Sequence, residues 1–376
     1  MHRRDFIRLV GGGVVVAATT ATASCAPVGV DPRAAWDNPG ATETDIRRKA
    51  LSFAILAPNP HNMQPWMADL RTPGEVTFHA DRTRLLPVTD PFNRQIVIGF
   101  GGVLAYLQMA LRQLGQSAEQ VTFPEGEAHP LLDDRPIARV RLVGERKSPP
   151  DPLFPRLLDR RTDRGAYADR AIDTAAFADL LTSPHVQGSL DPALVERLKG
   201  LVYEGARIEA HTPAAHQESV ERTFIGARDV AAHPWGISLD QPMMTAMNAV
   251  GILTKAKMAT PGTTAFNESL KFLKTAADTS RGFVWITTPG NSRHDQIVAG
   301  ESYARLSLMV AAHGLAIHPW SQGLQEYATQ KPVFDALHRE LAPDGGRIQM
   351  LARIGYPKST LRPAPRRGLA AQIRSA

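Results

Sequence analysis

The sequence predicts an α+β protein made of two tandem halves that together form an intrachain pseudo-dimer. A repeated phrase, Gln-Ile-Val-Ile-Gly at 95–99 and Gln-Ile-Val-Ala-Gly at 296–300, opens a long small and apolar stretch in each half, which indicates an internal duplication. Strand-like segments near both stretches favour antiparallel sheets flanked by helices. Two polar clusters, 58–66 and 160–164, occur once each, so the halves are expected to build one shared site.

Residues 1–25 have the pattern of a twin-arginine export signal. Arg3 and Arg4 precede Phe6 and a mildly apolar stretch, 9–23, that ends in small residues. A basic N-terminal arm or a membrane anchor is the alternative interpretation. Because twin-arginine export carries folded proteins, the signal predicts a periplasmic or otherwise exported protein, the translocation machinery as a partner, and a cofactor inserted before export.

Cys25 is the only cysteine, and it follows Thr22-Ala23-Ser24, an incomplete lipidation motif. Two outcomes stay open: lipidation, which would tether the protein to a membrane, or cleavage after Ala23, which would leave a free thiol near the start. A single cysteine excludes an intrachain disulfide and a cysteine metal site.

Composition excludes several classes of protein. With 43% hydrophobic and 21% charged residues, the body is expected to be globular and soluble, and no later apolar run is long enough to span a bilayer. The net charge of +6 includes Arg362, Arg366, Arg367 and Arg374, but without a nucleic-acid motif a ligand phosphate is the expected partner of these side chains, and no nucleic acid is expected. The sequence contains no HExxH motif, and no metal site is predicted.

The first half is assigned to residues 44–147. It follows a Pro-, Gly- and Asp-rich segment at 26–43, which is predicted to be a flexible linker between the export signal and the fold. Its predicted elements are a helix over 44–56 with Thr44 as the cap, a strand within 67–80, a helix over 94–114 and a strand over 137–143. Gly99, Gly101 and Gly102 match no phosphate-loop spacing, so close helix packing is the expected reason for them.

The second half is assigned to residues 148–376. Its predicted elements are a helix over 153–160, a helical insertion around 210–280, a strand over 282–287, a helix over 297–313 and a strand over 348–354. The insertion contains Met243, Met244, Met247 and Met258. Adaptable core packing and a lid over a pocket both remain open as its role.

The loop at 58–66 places amide and imidazole groups on a proline-stiffened turn. His61, Asn62 and Gln64 lie between Pro60 and Trp66. Because amides both donate and accept hydrogen bonds, this group suits the alternating edge of a heterocycle such as a flavin pyrimidine ring. A structural turn whose amides bond to one another is the alternative.

The segment Arg160-Arg161-Thr162-Asp163-Arg164 concentrates guanidinium groups around a hydroxyl. Fork-shaped donors beside a hydroxyl suit a phosphate monoester, and a solvated charged loop is the alternative. The basic run 362–367 follows a predicted strand and could return to the same anion.

With these motifs, the chain resembles the nitroreductase-like flavoproteins, and within them the fused, Acg-like subgroup of FMN-binding oxidoreductases. The resemblance covers nearly all of the chain after residue 44. Ordinary members are homodimers that hold FMN at the subunit interface, with an Arg-rich motif from one subunit and an Asn-x-Gln-Pro-Trp loop from the other. This chain contains one of each motif. The resemblance therefore implies a nitroreductase-like fold, a monomer that acts as a pseudo-dimer, and one FMN per chain.

By position in the family motifs, the resemblance assigns the phosphate, ribityl and ring contacts to the Arg-rich segment. It assigns the partner-subunit loop to Pro60 and Asn62, and the shape of that loop to Gln64 and Trp66. It assigns the backbone near flavin N5 to 320–322, and the terminal basic pair at the phosphate to Arg366 and Arg367. The candidate cofactor-binding set is Arg160, Arg161, Thr162, Arg164, Pro60, His61, Asn62, Gln64, Trp320, Ser321, Gln322, Arg366 and Arg367. Asn59-Pro60 stands where the family commonly has smaller hydroxyl residues, and no catalytic side chain is assigned.

The resemblance implies an exported FMN-dependent oxidoreductase that reduces nitro or quinone-like small molecules by two electrons through flavin N5. Nicotinamide donors are expected to be scarce outside the cytoplasm, so the donor is left open. The alternative is a protein that binds or sequesters FMN without turnover. A third hypothesis is a surface-tethered interaction protein with an empty site.

Overall fold

The computed structural model describes residues 31–146 and 149–374. The predicted export signal and Cys25 lie outside these residues. The first half contains helix α1 (Ile46–Ala54), strands β1 (Trp66–Asp69) and β2 (Glu75–Ala80), helix α2 (Arg94–Gln113), and strands β3 (Gln116–Thr122) and β4 (Ala138–Glu145).

The second half is larger because it contains an insertion between its first two strands. Its first elements are α3 (Thr174–Leu180), β5 (Val186–Ser189) and α4 (Pro192–His211). The insertion follows, with α5 (Pro213–Glu221), β6 (Thr223–Ile225), α6 (Ala227–Ala232), β7 (Ile237–Leu239), α7 (Pro242–Ala249), α8 (Lys255–Ala259) and α9 (Thr264–Asp278). The last elements are β8 (Gly282–Thr288), α10 (Arg293–Ala312), β9 (Ala316–Pro319), α11 (Lys331–Leu341) and β10 (Arg347–Gly355).

The two halves have four-stranded sheets with the same strand order. The first sheet runs β1-β2-β4-β3 and the second β5-β8-β10-β9, and every pairing in both is antiparallel. In each half a long helix, α2 or α10, connects the second strand to the far edge strand. The expected α+β class is therefore confirmed, and the repeated phrase marks equivalent helices.

The sheets differ in how they are covered. The first sheet buries one face, so β2 and β4 alternate between buried and more exposed residues, as expected for a half-solvated antiparallel sheet. The second sheet has α10 on one face and helices α4 and α11 on the other, so β8 is buried almost throughout. This difference explains why β4 alternates in sequence and β8 is a continuous apolar run.

Helices α2 and α10 cross at their glycines. A Cβ atom built on Gly101 would lie 2.1 Å from the carbonyl oxygen of Ile297, and one on Gly300 would lie 1.9 Å from that of Ile98. No side chain fits at either distance, so the helix backbones are in direct contact. Close helix packing, predicted for Gly99, Gly101 and Gly102, is the role of Gly101, whereas Gly99 and Gly102 lie against residues 57–60.

Two buried arginines, one in each half, form hydrogen bonds with the opposite half. Arg94, at the start of α2, donates to the carbonyl oxygens of Gln349 and Leu324 and pairs with Glu326. Arg293, at the start of α10, donates to the carbonyl oxygens of Phe92, Ala128 and Pro130. Each long helix is therefore anchored in the opposite half.

Several predicted boundaries differ from the structure. Asp45, not Thr44, caps α1 by accepting from the backbone N–H of Arg47. The predicted strand over 67–80 is a hairpin, because Gly74 has a φ of 71° and turns the chain. The predicted helix over 153–160 is a single 3₁₀ turn, Phe154–Leu158.

The ends of the described chain pack on the first half. Arg33 and Trp36, in the predicted linker, donate to the carbonyl oxygens of Pro363 and Ala364, and Trp36 is buried. Farther on, Arg374 donates through its backbone to Ala68 in β1. Residues 31–36 are therefore part of the fold and not a tether, and the last residues of the second half cover the first.

The insertion has a small core of its own. Met244, Met247 and Met258 pack around Ile225, Leu253 and Ala265, while Met243 is exposed. The Met-rich segment is therefore mainly packing, the first of the two roles left open. Of the described helices, α2 alone is apolar and long enough to cross a membrane, and it is buried within the fold.

Candidate functional site

A cavity of about 750 Å³ lies between the two halves. The first half contributes the loop at 58–62 and Ile98 with Gly99 of α2. The second half contributes 160–166, Gly300 with Tyr303 of α10, and residues 318, 319, 321 and 322. The insertion adds 236–241, and the C-terminal segment adds 358–366. Both polar clusters singled out in the sequence thus reach one cavity, whose volume is typical of a small-molecule site.

The cavity wall is strongly basic. Its described charged residues are Arg33, Arg160, Arg161, Arg164, Lys358, Arg362, Arg366, Asp163 and Asp240. Asp240 pairs with Arg33 and Arg362, whereas no carboxylate among the described residues pairs with Arg160, Arg161, Arg164 or Arg366. An excess of unpaired guanidinium groups around a cavity favours an anionic ligand.

Arg160 and Arg161 both line the cavity, but the protein holds their guanidinium groups differently. Arg160 is 3% exposed, its Nη1 lies 3.4 Å from the Thr162 hydroxyl, and its Nε has no hydrogen-bond partner. Arg161 donates to the carbonyl oxygens of Leu158, Arg160 and Leu361 and lies over the Trp36 ring. Arg160 therefore keeps a free donor for a ligand, while Arg161 is largely committed to the protein.

Arg164 is exposed toward the cavity, and no hydrogen bond of its guanidinium is made within the described chain. Its position depends on Arg353, which donates to the carbonyl oxygens of Asp163 and Gly165 at 3.2 and 2.6 Å. Asp163 also accepts from the backbone N–H of Gly165. The motif therefore has a fixed backbone and a free cationic side chain.

The loop at 58–66 has an unusual backbone. His61, Asn62 and Gln64 all have positive φ angles, of 46°, 55° and 52°, which few non-glycine residues adopt. The Nδ1 atom of His61 is buried without a partner. Burial and the charges of Arg164 and Arg222 lower the pKa of His61 to about 4, so its imidazole is neutral near pH 7.

Arg366 holds this loop in place. It donates to the carbonyl oxygens of Ile55, Leu56 and Ala57, at the end of α1, and to the Asn62 side chain. Burial, with Arg160 nearby, lowers the pKa of Arg366 to about 9. Asn62 also donates to the carbonyl oxygens of Gly236 and Pro365. Both residues line the cavity, but their side-chain polar atoms already have protein partners, so their expected contacts with a cofactor stay a prediction.

Three other candidates lie behind the cavity wall. Gln64 is fully buried and accepts from the backbone N–H of Arg367, whose guanidinium donates to the Gln64 carbonyl oxygen. Trp320 is 1% exposed and packs in the core beneath the second sheet. The expected shaping role of Gln64 agrees with these contacts, but Arg367 and Trp320 are not placed to line the site. Pro60, Thr162, Ser321 and Gln322 do line it.

Sequence reasoning missed two groups on the wall, Tyr303 and His318. The Tyr303 hydroxyl is buried and has no hydrogen-bond partner. Tyr303 lies seven residues after Gln296, the first residue of the second copy of the repeated phrase, and this spacing places both residues on one face of α10. His318 lies on β9, a strand that the sequence analysis did not predict, so no signal marked it.

Asp240 joins three segments that enclose the cavity. It follows β7 in the insertion and pairs with Arg33 near the start of the described chain and with Arg362 in the C-terminal segment. Arg33 also donates to the Pro363 carbonyl oxygen. Access to the cavity is therefore restricted on this side by a buried carboxylate with two cationic partners.

The chain is similar to one of the two relatives described here over most of its length and to the other over a short segment. No protein-family model matches the chain. The putative NAD(P)H nitroreductase Rv3131 of Mycobacterium tuberculosis is 27% identical over 339 residues, which cover 87% of this chain and 90% of the relative. The putative NAD(P)H nitroreductase acg of the same organism is 35% identical over 83 residues, covering 22% of this chain and 24% of the relative.

The chain is also similar to solved structures of nitroreductases. The FMN-dependent nitroreductase NfnB of Mycobacterium smegmatis, in complex with NADPH, covers 60% of this chain and 98% of its own, with 18% identity and a TM-score of 0.36. A putative nitroreductase of Anabaena variabilis covers 89% of this chain and 93% of its own, with 10% identity and a TM-score of 0.41. The duplicated α+β architecture and the relative that matches over most of the chain support a nitroreductase-like fold and an oxidoreductase.

Proposed function

We propose that the protein is an FMN-dependent oxidoreductase that reduces nitro or quinone-like small molecules by two electrons. The observation that carries this proposal is a set of buried polar atoms on the cavity wall without partners: Arg160 Nε, Tyr303 Oη and His61 Nδ1. Buried donors without partners are costly in a protein alone. A ligand with an anionic group and a polar ring edge would satisfy them.

The chemistry of the wall fits FMN. Arg160 and Thr162 supply donors for a phosphate, and Arg164 supplies a positive charge that would favour an anionic, reduced ring. FMN, when bound, supplies hydride and electron transfer. The protein's own groups hold the ligand, keep its surroundings basic and restrict access from solvent. The names of the relatives support the same class of reaction.

The first experiment is the visible absorption spectrum of protein purified from cytoplasm, with the chromophore released and identified by mass. We expect one FMN per chain. Arg160→Ala and Arg164→Ala should each weaken FMN binding at least about tenfold, since each removes a charged donor. Arg339→Ala is the control, because that side chain is exposed on α11. A colourless protein that takes up no added FMN would contradict the proposal.

A protein that stores FMN without turnover is the second candidate. The Asp240 ion pairs favour it, because they tie three segments across one side of the cavity and would slow exchange. The two candidates separate when FMN-loaded protein is mixed with NADPH, or reduced by dithionite, and then given nitrofurazone or menadione. Turnover supports the enzyme, and a flavin that is neither reduced by NADPH nor reoxidised by either acceptor supports storage.

We also propose that the protein is exported through the twin-arginine pathway and works as a monomer. The support for export is the sequence of residues 2–23. Cell fractionation of the natural sequence and of a variant with Arg3→Lys and Arg4→Lys tests export, since the variant should stay in the cytoplasm. Fatty-acid labelling with Cys25→Ala as control tests the tether, and solution mass of the FMN-loaded protein tests the monomer.

A further inference from the structure

We propose that His318 donates a hydrogen bond from Nε2 to the ligand in the cavity, and that Arg353 is the positioning residue that fixes the proton on that nitrogen. This inference rests on the proposed function, which identifies the ligand as a flavin. The flavin ring has carbonyl oxygens and ring nitrogens that can accept a hydrogen bond. Neither residue belongs to the motifs that the sequence analysis identified.

Strand register brings the two side chains together. His318 on β9 and Arg353 on β10 are directly paired across the two antiparallel strands, which puts them on the same face of the sheet. Their neighbours Ile317 and Ile354 pack in the core on the opposite face, as the alternation along strands requires. The contact between His318 and Arg353 is therefore fixed by the sheet.

Arg353 determines the tautomer of His318. Its Nε donates to Nδ1 of His318 at 3.1 Å, and Nη1 donates to the carbonyl oxygen of Ala276 at 2.9 Å. The remaining nitrogen, Nη2, donates to the backbone at Asp163 and Gly165. A guanidinium can only donate, so Nδ1 must accept and the ring proton must be on Nε2.

The ring is neutral, so it acts as a donor without adding a charge. Burial lowers the pKa of His318 well below its usual value, and the charges of Arg353 and Arg164 act in the same direction. The imidazole also packs at 5.0 Å from the Trp320 ring, which limits its rotation. The Trp320 side chain therefore supports the His318 ring from the core side.

No hydrogen bond of His318 Nε2 is made within the described part of the chain, and His318 lies on the cavity wall although it is only 7% exposed. The Nε2 atom is not among the fully buried atoms without partners, so its N–H faces the open cavity. A ligand acceptor in the cavity could therefore receive this hydrogen bond. The same Arg353 holds the backbone beside Arg164, so one buried guanidinium orients two groups toward the ligand.

The first test needs no ligand. Two-bond ¹⁵N–¹H spectra of the purified protein at pH 7 should show His318 neutral with its proton on Nε2. A proton on Nδ1, or a charged ring, would overturn the inference while leaving the proposed function untouched. In Arg353→Met the tautomer preference should be lost, a change that a merely structural role for Arg353 would not produce, and Arg353→Lys should retain part of it.

The second test uses FMN. In the natural sequence, the Nε2 proton signal should shift downfield when FMN binds. His318→Phe removes the donor and should weaken FMN binding about 5- to 10-fold and shift the flavin absorption bands and its two-electron potential. His318→Gln keeps a donor and should remain within about threefold. His211→Phe, on the surface of α4, is the matched control.

The outcomes separate the two proposals. If the natural protein takes up no FMN, the proposed function fails. If it takes up FMN but the Nε2 signal does not move, or if a folded His318→Phe variant has unchanged affinity, spectrum and potential, then only the role of His318 is refuted. The spectra of the natural protein decide the question even if His318→Phe does not fold.

Discussion

The arginines on the cavity wall differ in how many of their donors are free to bind a ligand. Arg160 keeps an unpartnered Nε, whereas the guanidinium of Arg366 is occupied by the carbonyl oxygens at the end of α1. Arg161 is intermediate, with three carbonyl partners. The number of charges around the site follows from the sequence, but the number of free donors does not.

His61 should make stability depend on pH. The pKa of His61 in the folded protein, about 4, lies below the ordinary imidazole value of about 6.5, so the fold favours the neutral ring. This contribution is fully present above pH 6.5 and is lost as the pH falls toward 4. The shift corresponds to at most about 3 kcal/mol. Denaturant unfolding at pH 7.5 and pH 4.5 should show the loss.

His61→Asn is the matched variant, because Asn tolerates a positive φ better than most residues and does not titrate. The free energy of unfolding of this variant should fall less than that of the natural protein between the two pH values. Equal pH dependence in both proteins would contradict a neutral, buried imidazole.

Arg366→Met should destabilise the protein by roughly 3 kcal/mol or more, whether or not FMN is present. The substitution leaves several buried carbonyl oxygens at the end of α1 without a donor. Arg339→Met, at an exposed position on α11, should change stability by less than about 0.5 kcal/mol. Thermal unfolding of ligand-free protein measures both, and a loss of FMN affinity without a loss of stability would restore the phosphate role.

The sequence located the two polar clusters because each is contiguous in the chain. It could not assign Arg366, since the acceptors at Ile55 to Ala57 are about 310 residues away. His318 was missed for a related reason. Its partner Arg353 is identified only by the register of two strands, and β9 is short.

Among secondary structure elements, the crossing of α2 and α10 is the most sensitive contact. Gly300→Ala should destabilise the protein by at least about 3 kcal/mol, because the added Cβ would lie 1.9 Å from the Ile98 carbonyl oxygen and the helices would have to separate. Chemical denaturation measures the change in the free energy of unfolding.

Gly200→Ala is the control for this prediction. Gly200 is exposed in the middle of α4, and nothing lies within 4 Å of its built Cβ. The substitution should stabilise the helix by about 0.5 to 1 kcal/mol. A neutral Gly300→Ala variant would mean that the two helices are not in backbone contact.

Long elements with strong patterns were predicted well. The helices α2 and α10 and the strands β8 and β10 all lie within a few residues of their expected positions. The edge strand β3 was missed because its sequence is mostly polar and partly exposed, so it lacks an alternating pattern. Helix α4 was not predicted, although Asp191 caps it and a proline stands at its first position, both of which are signals of a helix start.

At the scale of the whole molecule, the two halves should unfold together. Arg94 and Arg293 each bond to the opposite half, and the two long helices share a core that includes Ile297 and Leu308 with residues of the first half. Variants that retain only Trp66 or only Trp285 would report on the first and second sheet. Their fluorescence midpoints in denaturant should coincide, and two separate midpoints would contradict a single cooperative unit.

The duplication was visible in the sequence as a five-residue phrase, and the shared strand order is its structural counterpart. The sequence did not indicate which half the C-terminal segment would pack against. Residues 363–374 leave the second sheet and pack on the first half, where Ile373 bridges to Ala68. Apolar patterning predicts which residues are buried but not which half buries them.

The path of that segment also sets the order in which the site is completed during synthesis. The loop at 58–66 emerges from the ribosome early, yet the guanidinium that fixes it belongs to Arg366, made about 300 residues later. Translation at about 5–20 residues per second therefore leaves the loop without its anchor for about 15 to 60 seconds. A cofactor that needs the finished loop can bind only after translation is nearly complete.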